Sequence, residues 1–74
     1  MKELELKLKE LKEGVENTNH TILNIKVEIA HCKQLHLDYL SYELILNKCI
    51  ETKKELNQKI TTIEEAIKIL KGEN

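Results

Sequence analysis

Two cysteines and two histidines near the middle of this 74-residue chain have types and spacing that would suit metal binding or thiol chemistry. Cys32 and His36 are four residues apart and would share one face of a helix, His31 adjoins Cys32, and Cys49 could approach from a second helix. A Zn²⁺ ion takes four nitrogen, sulfur or oxygen donors, which two facing helices can supply. The chain has no Cys-x-x-Cys pair, however, and Cys32, His36 and Cys49 also fit an apolar helical pattern. We therefore expect core residues with no metal or cofactor, and keep zinc binding and a Cys32–Cys49 disulfide as alternatives.

Side chains that could support catalysis are sparse. Ser41 is the only serine, and the two glycines do not form a phosphate-binding loop. The carboxylates alternate with lysines, as on the solvated face of a helix. We expect that the protein is not an enzyme.

The charge of the chain is nearly balanced, with a formal net charge of −1. All 12 basic residues are lysines, so the bidentate contacts that arginine makes with guanine and phosphate are absent. No window approaches the roughly 18 apolar residues of a transmembrane helix, and the first residues lack the apolar core of a signal peptide. We expect a cytoplasmic protein that does not bind membranes and for which nucleic-acid binding is the weaker hypothesis.

The absence of proline and the presence of only two glycines are typical of nearly continuous helix. Two apolar seams with alternating spacings of three and four residues indicate two long helices. The first seam consists of Leu4, Leu8, Leu11, Val15, Thr18, Ile22, Ile25, Ile29, Cys32 and His36. The second consists of Leu46, Cys49, Lys53, Leu56, Ile60, Ile63, Ile67 and Leu70. The seams are out of phase by three residues, which predicts either a reversal of chain direction or a stutter in one long helix.

The phase change lies within the apolar stretch LHLDYLSYELIL, residues 35–46. A reversal of the chain there predicts a single all-α domain over residues 1–74, an antiparallel helical hairpin with arms of matched length. The first arm, the turn and the second arm are expected at about residues 2–37, 38–41 and 42–71.

Several local features follow from this hairpin. Asp38 would cap the second arm, because its carboxylate can accept hydrogen bonds from the amides that follow it. Folding the arms together in this way places Ile22 opposite Leu56. Gly14 and Thr62 are weak points at which the helices are either interrupted or continue with only a mild local irregularity.

The middle of the chain carries more apolar surface than one seam between two helices can bury. Ten residues in this region are expected to form an interface: Leu23, Val27, Ala30, Leu37, Tyr39, Leu40, Tyr42, Leu44, Ile45 and Ile50. Contiguous exposed apolar surface on a small protein usually marks such an interface. A second copy of the chain is the simplest partner, which predicts a homodimer whose hairpins form an antiparallel four-helix bundle through the half nearer the turn. The alternative is a monomer in which a terminal segment folds back over this surface.

The sequence favours a non-enzymatic protein–protein interaction module, a small dimeric regulator or adaptor that binds a further protein partner. An inhibitor encoded by a mobile element is one form of such a regulator. The alternative is an obligate subunit of a hetero-oligomeric coiled-coil complex. In outline the expected hairpin resembles the small helical-hairpin bundles of the plasmid copy-control type and the hairpin subunits of larger assemblies. The RNA-binding bundles of that type carry a basic stripe, whereas here lysines and glutamates are interleaved, so a nucleic-acid-binding bundle is the weakest of the three hypotheses.

Overall fold

The computed structural model describes residues 2–72, which form two helices and one connection. Helix α1 is Lys2–Gln34 and helix α2 is Leu40–Leu70, and the two pack side by side in opposite directions. The pair measures 57 × 16 × 15 Å, so each helix spans nearly the full length. The predicted all-α helical hairpin is confirmed. Because these helices occupy nearly all of the described residues, no third segment within them folds back over the hairpin, and the fold-back alternative is wrong.

The two helices are joined by the predicted apolar seam. Ile25, in the second half of α1, is 8% exposed and is the one buried side chain within residues 2–72. The other predicted seam residues are half-buried, including Lys53, with the exceptions of His36 and Leu70, which are exposed. His36 lies beyond the end of α1, and Leu70 is the last residue of α2 at the open end of the hairpin.

The connection between the helices spans residues 35–39 and therefore comes earlier than the predicted turn. Helix α1 ends in a Schellman motif, in which the Leu37 amide donates to the Cys32 carbonyl at 2.8 Å and the His36 amide donates to the Lys33 carbonyl at 3.3 Å. His36 adopts the left-handed conformation that this motif requires, with a φ angle of 57°. Glycine usually fills this position, and a histidine there is only a weak stop signal. The predicted end of α1 at residue 37 was therefore too late.

The position of the connection also fixes which residues face each other. The predicted turn, residues 38–41, has its midpoint two to three residues later than the midpoint of the connection, which is Leu37. Each residue of α2 therefore faces a residue of α1 that lies farther from the turn than predicted. A Cβ atom on Gly14 would lie 3.5 Å from the Leu56 Cδ1 atom. Gly14 is about two helical turns farther from the connection than Ile22. The predicted pairing of Ile22 with Leu56 is therefore wrong.

Asp38 caps the start of α2, as predicted. Its Oδ1 atom accepts a hydrogen bond from the Leu40 amide at 3.0 Å. Tyr39, the residue immediately before the helix, makes no side-chain capping bond of its own. One otherwise unpaired amide of the first turn is thus satisfied by Asp38.

Replacing Asp38 with alanine should lower the free energy of unfolding by about 1 kcal/mol, because the Leu40 amide loses its acceptor. Asp38→Asn keeps a side-chain oxygen at the same place and should retain most of the stability. Urea unfolding followed by circular dichroism, at one fixed chain concentration, measures both variants. An equal loss in the two variants would contradict the role assigned to this acceptor oxygen.

Both helices continue without a break through their predicted weak points. Gly14 lies within α1 and Thr62 within α2, so neither position interrupts a helix. The Thr62 hydroxyl donates to the Gln58 carbonyl at 3.1 Å, one turn back, instead of capping a new helix. Helix α2 ends at Leu70, close to the predicted end at residue 71, and beyond it Gly72 has a φ angle of 73° and donates its amide to the Ile69 carbonyl at 3.1 Å.

Gly14→Ala should raise the free energy of unfolding by about 1 kcal/mol, because a helix-interior glycine costs about that much relative to alanine and the new methyl would make an ordinary contact with Leu56. Gly72→Ala is the matched control, since its positive φ angle strains any residue with a Cβ atom and should make the variant less stable. Thermal unfolding at equal chain concentration compares the two. A loss of stability in Gly14→Ala would mean that the helices pack more closely there than described.

Candidate protein interface

Most of the predicted interface residues lie on the surface of the hairpin. Ala30 is exposed, and the large apolar residues of the set are between 47% and 63% exposed. These residues are Leu23, Val27, Leu37, Leu40, Leu44, Ile45 and Ile50. The two-helix seam therefore leaves uncovered the apolar surface that the sequence predicts to be in excess.

The two tyrosines differ from this pattern. Tyr39 and Tyr42 are half-buried, although the hairpin predicted from the sequence places both in the exposed tip. Since the connection ends at Tyr39, the second seam extends back from Leu46 through Tyr42 to Tyr39 at spacings of four and three residues. These tyrosines therefore close the turn end of the seam, and Leu40 between them is the exposed residue.

A shallow groove runs along one side of the hairpin near the turn. Its walls include Lys26, Ala30 and Lys33 from α1, and Tyr39 and Glu43 at the start of the second arm. The Lys33 Nζ atom lies 5.3 Å from the centroid of the Tyr39 ring, a cation–π geometry. Exposed contacts of this kind contribute about 0.5–1 kcal/mol, so the lysine helps to hold the ring over the end of the seam.

The same side of the hairpin carries more apolar residues than the groove alone. Leu23 lies seven residues before Ala30, and Ile50 lies seven residues after Glu43. Because seven residues are almost two full helical turns, Leu23 lies on the same side of α1 as Ala30, and Ile50 lies on the same side of α2 as Glu43. Val27 follows Leu23 by four residues but lies about 200° around α1 from the buried Ile25, so it forms the outer border of this surface. We call the side that contains the groove, Leu23, Val27 and Ile50 the groove face.

Farther from the turn, the groove face is charged. Its surface there is lined by Glu5, Leu8, Lys9, Lys12, Glu13 and Glu16. The Lys12 Nζ atom is 3.8 Å from the Glu64 Oε2 atom, and both side chains are about half exposed to solvent. Such a surface pair contributes little to stability, typically less than about 1 kcal/mol. The groove face is therefore apolar with a few charges near the turn and strongly charged near the open end.

Four further apolar residues are exposed that the sequence pattern did not predict to be so. Leu35 lies in the connection and is 62% exposed, and Leu6, Ile69 and Leu70 lie near the open end of the hairpin. Leu35 is the first residue of the apolar stretch 35–46 within which the turn was predicted. A predicted end of α1 before residue 35 would have placed Leu35 in the exposed connection. Leu70 was assigned to the seam because its spacing fits, but spacing carries no information about where the facing helix ends.

The cysteines are half-buried in the seam, as expected of core residues, and both thiols are free. Cys32 lies five residues before the midpoint of the connection and Cys49 twelve residues after it, so they are offset along the hairpin by about 10 Å. A disulfide needs Cα atoms within about 7 Å, so this register does not permit the Cys32–Cys49 bridge within one hairpin. Within residues 2–72, no three His, Cys, Asp or Glu side chains are grouped as a metal site would require.

Tyr39→Ala should lower the free energy of unfolding by about 1–2 kcal/mol, because the half-buried ring covers the turn end of the seam. Leu40→Ala removes a neighbouring side chain that is 60% exposed and should change stability by less than about 0.5 kcal/mol in the isolated hairpin. Chemical unfolding of both variants at the lowest practical chain concentration provides the comparison. A larger loss in Leu40→Ala than in Tyr39→Ala would contradict these placements.

Neither helix carries a membrane-spanning apolar run within the described residues. Comparison of the chain with protein-family models, curated proteins and solved structures finds no match. The support for a function therefore comes from the surface of the hairpin itself.

Proposed function

We propose that this chain is a non-enzymatic protein–protein interaction module that forms a homodimer of hairpins, a four-helix bundle closed through the half nearer the turn. The dimer would act as a small regulator or adaptor by binding a further protein. The observation that carries the proposal is the exposed apolar surface near the turn, since eight large apolar side chains from Leu23 to Ile50 are each at least 47% exposed.

The total surface of the hairpin supports a second chain as the first partner. Its accessible surface is 6060 Å². A compact monomer of 8.7 kDa would expose about 4,700 Å², about 1,300 Å² less. A stable interface of standard size uses about 800 Å² of each partner, so packing against a second hairpin would remove more than half of this excess.

The distribution of burial supports the same conclusion. With one buried side chain within residues 2–72, a lone hairpin has almost no dry core, and single cores in chains of this size are already marginal. Pairing two hairpins would convert half-buried seam residues and exposed groove-face residues into one shared core, as four-helix bundles do.

A smaller apolar surface would remain for a further protein. Ile45 follows Glu43 by two residues and therefore lies about 200° around α2 from the groove face. It is 50% exposed, and Leu35 in the connection is 62% exposed. Both residues lie near the turn, where a partner of the dimer would find apolar contacts outside the bundle.

The double variant Val27→Glu with Leu37→Glu should weaken the dimer at least 100-fold while most of the helix is retained, because carboxylates at the border of the proposed apolar interface are costly to desolvate and both positions are exposed in the single hairpin. Sedimentation velocity over a wide concentration range, combined with circular dichroism, measures mass and helix content.

The matched control is Asn17→Glu with Asn24→Glu, which adds the same charge to the chain at exposed positions of α1 that are already polar. This control should remain dimeric. A native chain that sediments as a monomer at every concentration would overturn the homodimer and favour a subunit of a hetero-oligomeric complex.

A further inference from the structure

From the charges on the groove face, and resting on the proposed dimer, we infer the arrangement of the two copies: the hairpins pair groove face to groove face with both turns at the same end. The twofold axis then runs along the length of the hairpins. Each α1 then lies against the α2 of the partner. A residue of α1 is level, along the length of the hairpin, with the same α2 residues in the partner as in its own hairpin.

The first observation behind this arrangement is the change of character along the groove face. Near the turn the face presents Leu23, Val27, Ala30 and Ile50, whereas near the open end it presents mainly lysines and glutamates. Hairpins that overlapped fully with their turns at opposite ends would place each apolar half against a charged half. That pairing would leave most of the apolar residues without apolar contacts. It would also remove charged side chains from water without placing opposite charges beside them.

The second observation is the sign of the charges beside the apolar residues. Lys26 and Lys33 belong to α1 and Glu43 belongs to α2, and all three line the same groove. If only the turn halves overlapped with the turns pointing in opposite directions, α1 would lie on α1 with Lys26 near Lys33 of the partner, and α2 on α2 with the two Glu43 carboxylates near each other. Like charges so placed oppose association.

With both turns at the same end, these charges are complementary. Lys33 on one α1 then lies at the height of Glu43 on the facing α2, because the two residues already share one groove within a single hairpin. The twofold axis repeats this pair, so the dimer gains two lysine–glutamate contacts at the border of an apolar interface. The charges thereby select one orientation among those that bury the same apolar surface.

Two distance measurements separate this arrangement from the others. Small-angle X-ray scattering on the native chain should give a maximum dimension close to the 57 Å length of one hairpin. An overlap of the turn halves alone would extend the particle to about 90 Å. Full overlap with opposite turns would also be short, so a second distance is needed.

That distance comes from a spin label at the tip. Ser41→Cys is labelled in a chain with Cys32→Ala and Cys49→Ala, after sedimentation has shown that the labelled chain dimerises like the native one. With the turns together, the two labels should lie within about 35 Å, since each hairpin is only 16 Å thick. With opposite turns and full overlap, they would lie more than about 50 Å apart.

Charge reversal tests the selecting pair directly. Lys33→Glu and Glu43→Lys should each raise the dimer dissociation constant roughly tenfold, and the double variant should return to within about threefold of the native chain. Lys9→Glu, a reversal on the same face near the open end, should change it less than about threefold. Tighter association of Lys33→Glu would overturn the inference. A long particle or distant labels in an intact dimer would overturn only the arrangement, whereas a monomeric native chain would overturn the proposed function as well.

Discussion

The constraint on which this structure depends is that two helices lying side by side can bury only one narrow stripe of each. The seam between α1 and α2 is continuous and well patterned, yet Ile25 is the one side chain within residues 2–72 that it buries. Every other feature reflects this shortage of core: the half-buried seam, the elongated outline, and the apolar residues that face water near the turn. A hairpin with this surface is better suited to being half of a core than to having one of its own.

The connection determines which residues of the two helices face each other along that stripe. Closing α1 with a left-handed histidine shifts the turn toward the N-terminus and brings Tyr39 and Tyr42 into the seam. The same shift moves Leu35 and Leu37 out of the helix and into the solvent-exposed connection. One residue in an uncommon backbone conformation therefore sets the register, the composition of the core at the turn and the composition of the exposed tip.

Much of the fold could be predicted because its signal is spread over many residues. The seams are repeated along both helices, so the helical hairpin, the role of Asp38 and the exposed stripe at Leu23 and Val27 all followed from spacing and residue type. The register did not follow, because two regular seams can be paired at several offsets and only the turn chooses among them. That choice depends on His36, whose residue type signals a left-handed conformation only weakly. The burial of the tyrosines was missed for the same reason.

The single short connection also bears on the order in which the hairpin forms and opens. Contacts near the turn join residues close in sequence, whereas those at the open end require closure of nearly the whole chain, which costs more conformational entropy. The residues nearest the turn include the Schellman motif and the Asp38 cap, so order there is reinforced locally. We therefore expect the helices to join from the turn toward the open end, and their backbone amides to exchange with solvent more rapidly toward the open end. The apolar part of the groove face would thus form while the charged ends of the two helices are still opening and closing. The surface proposed to bind a second hairpin would therefore lie in the part of the chain that stays folded for the largest fraction of the time.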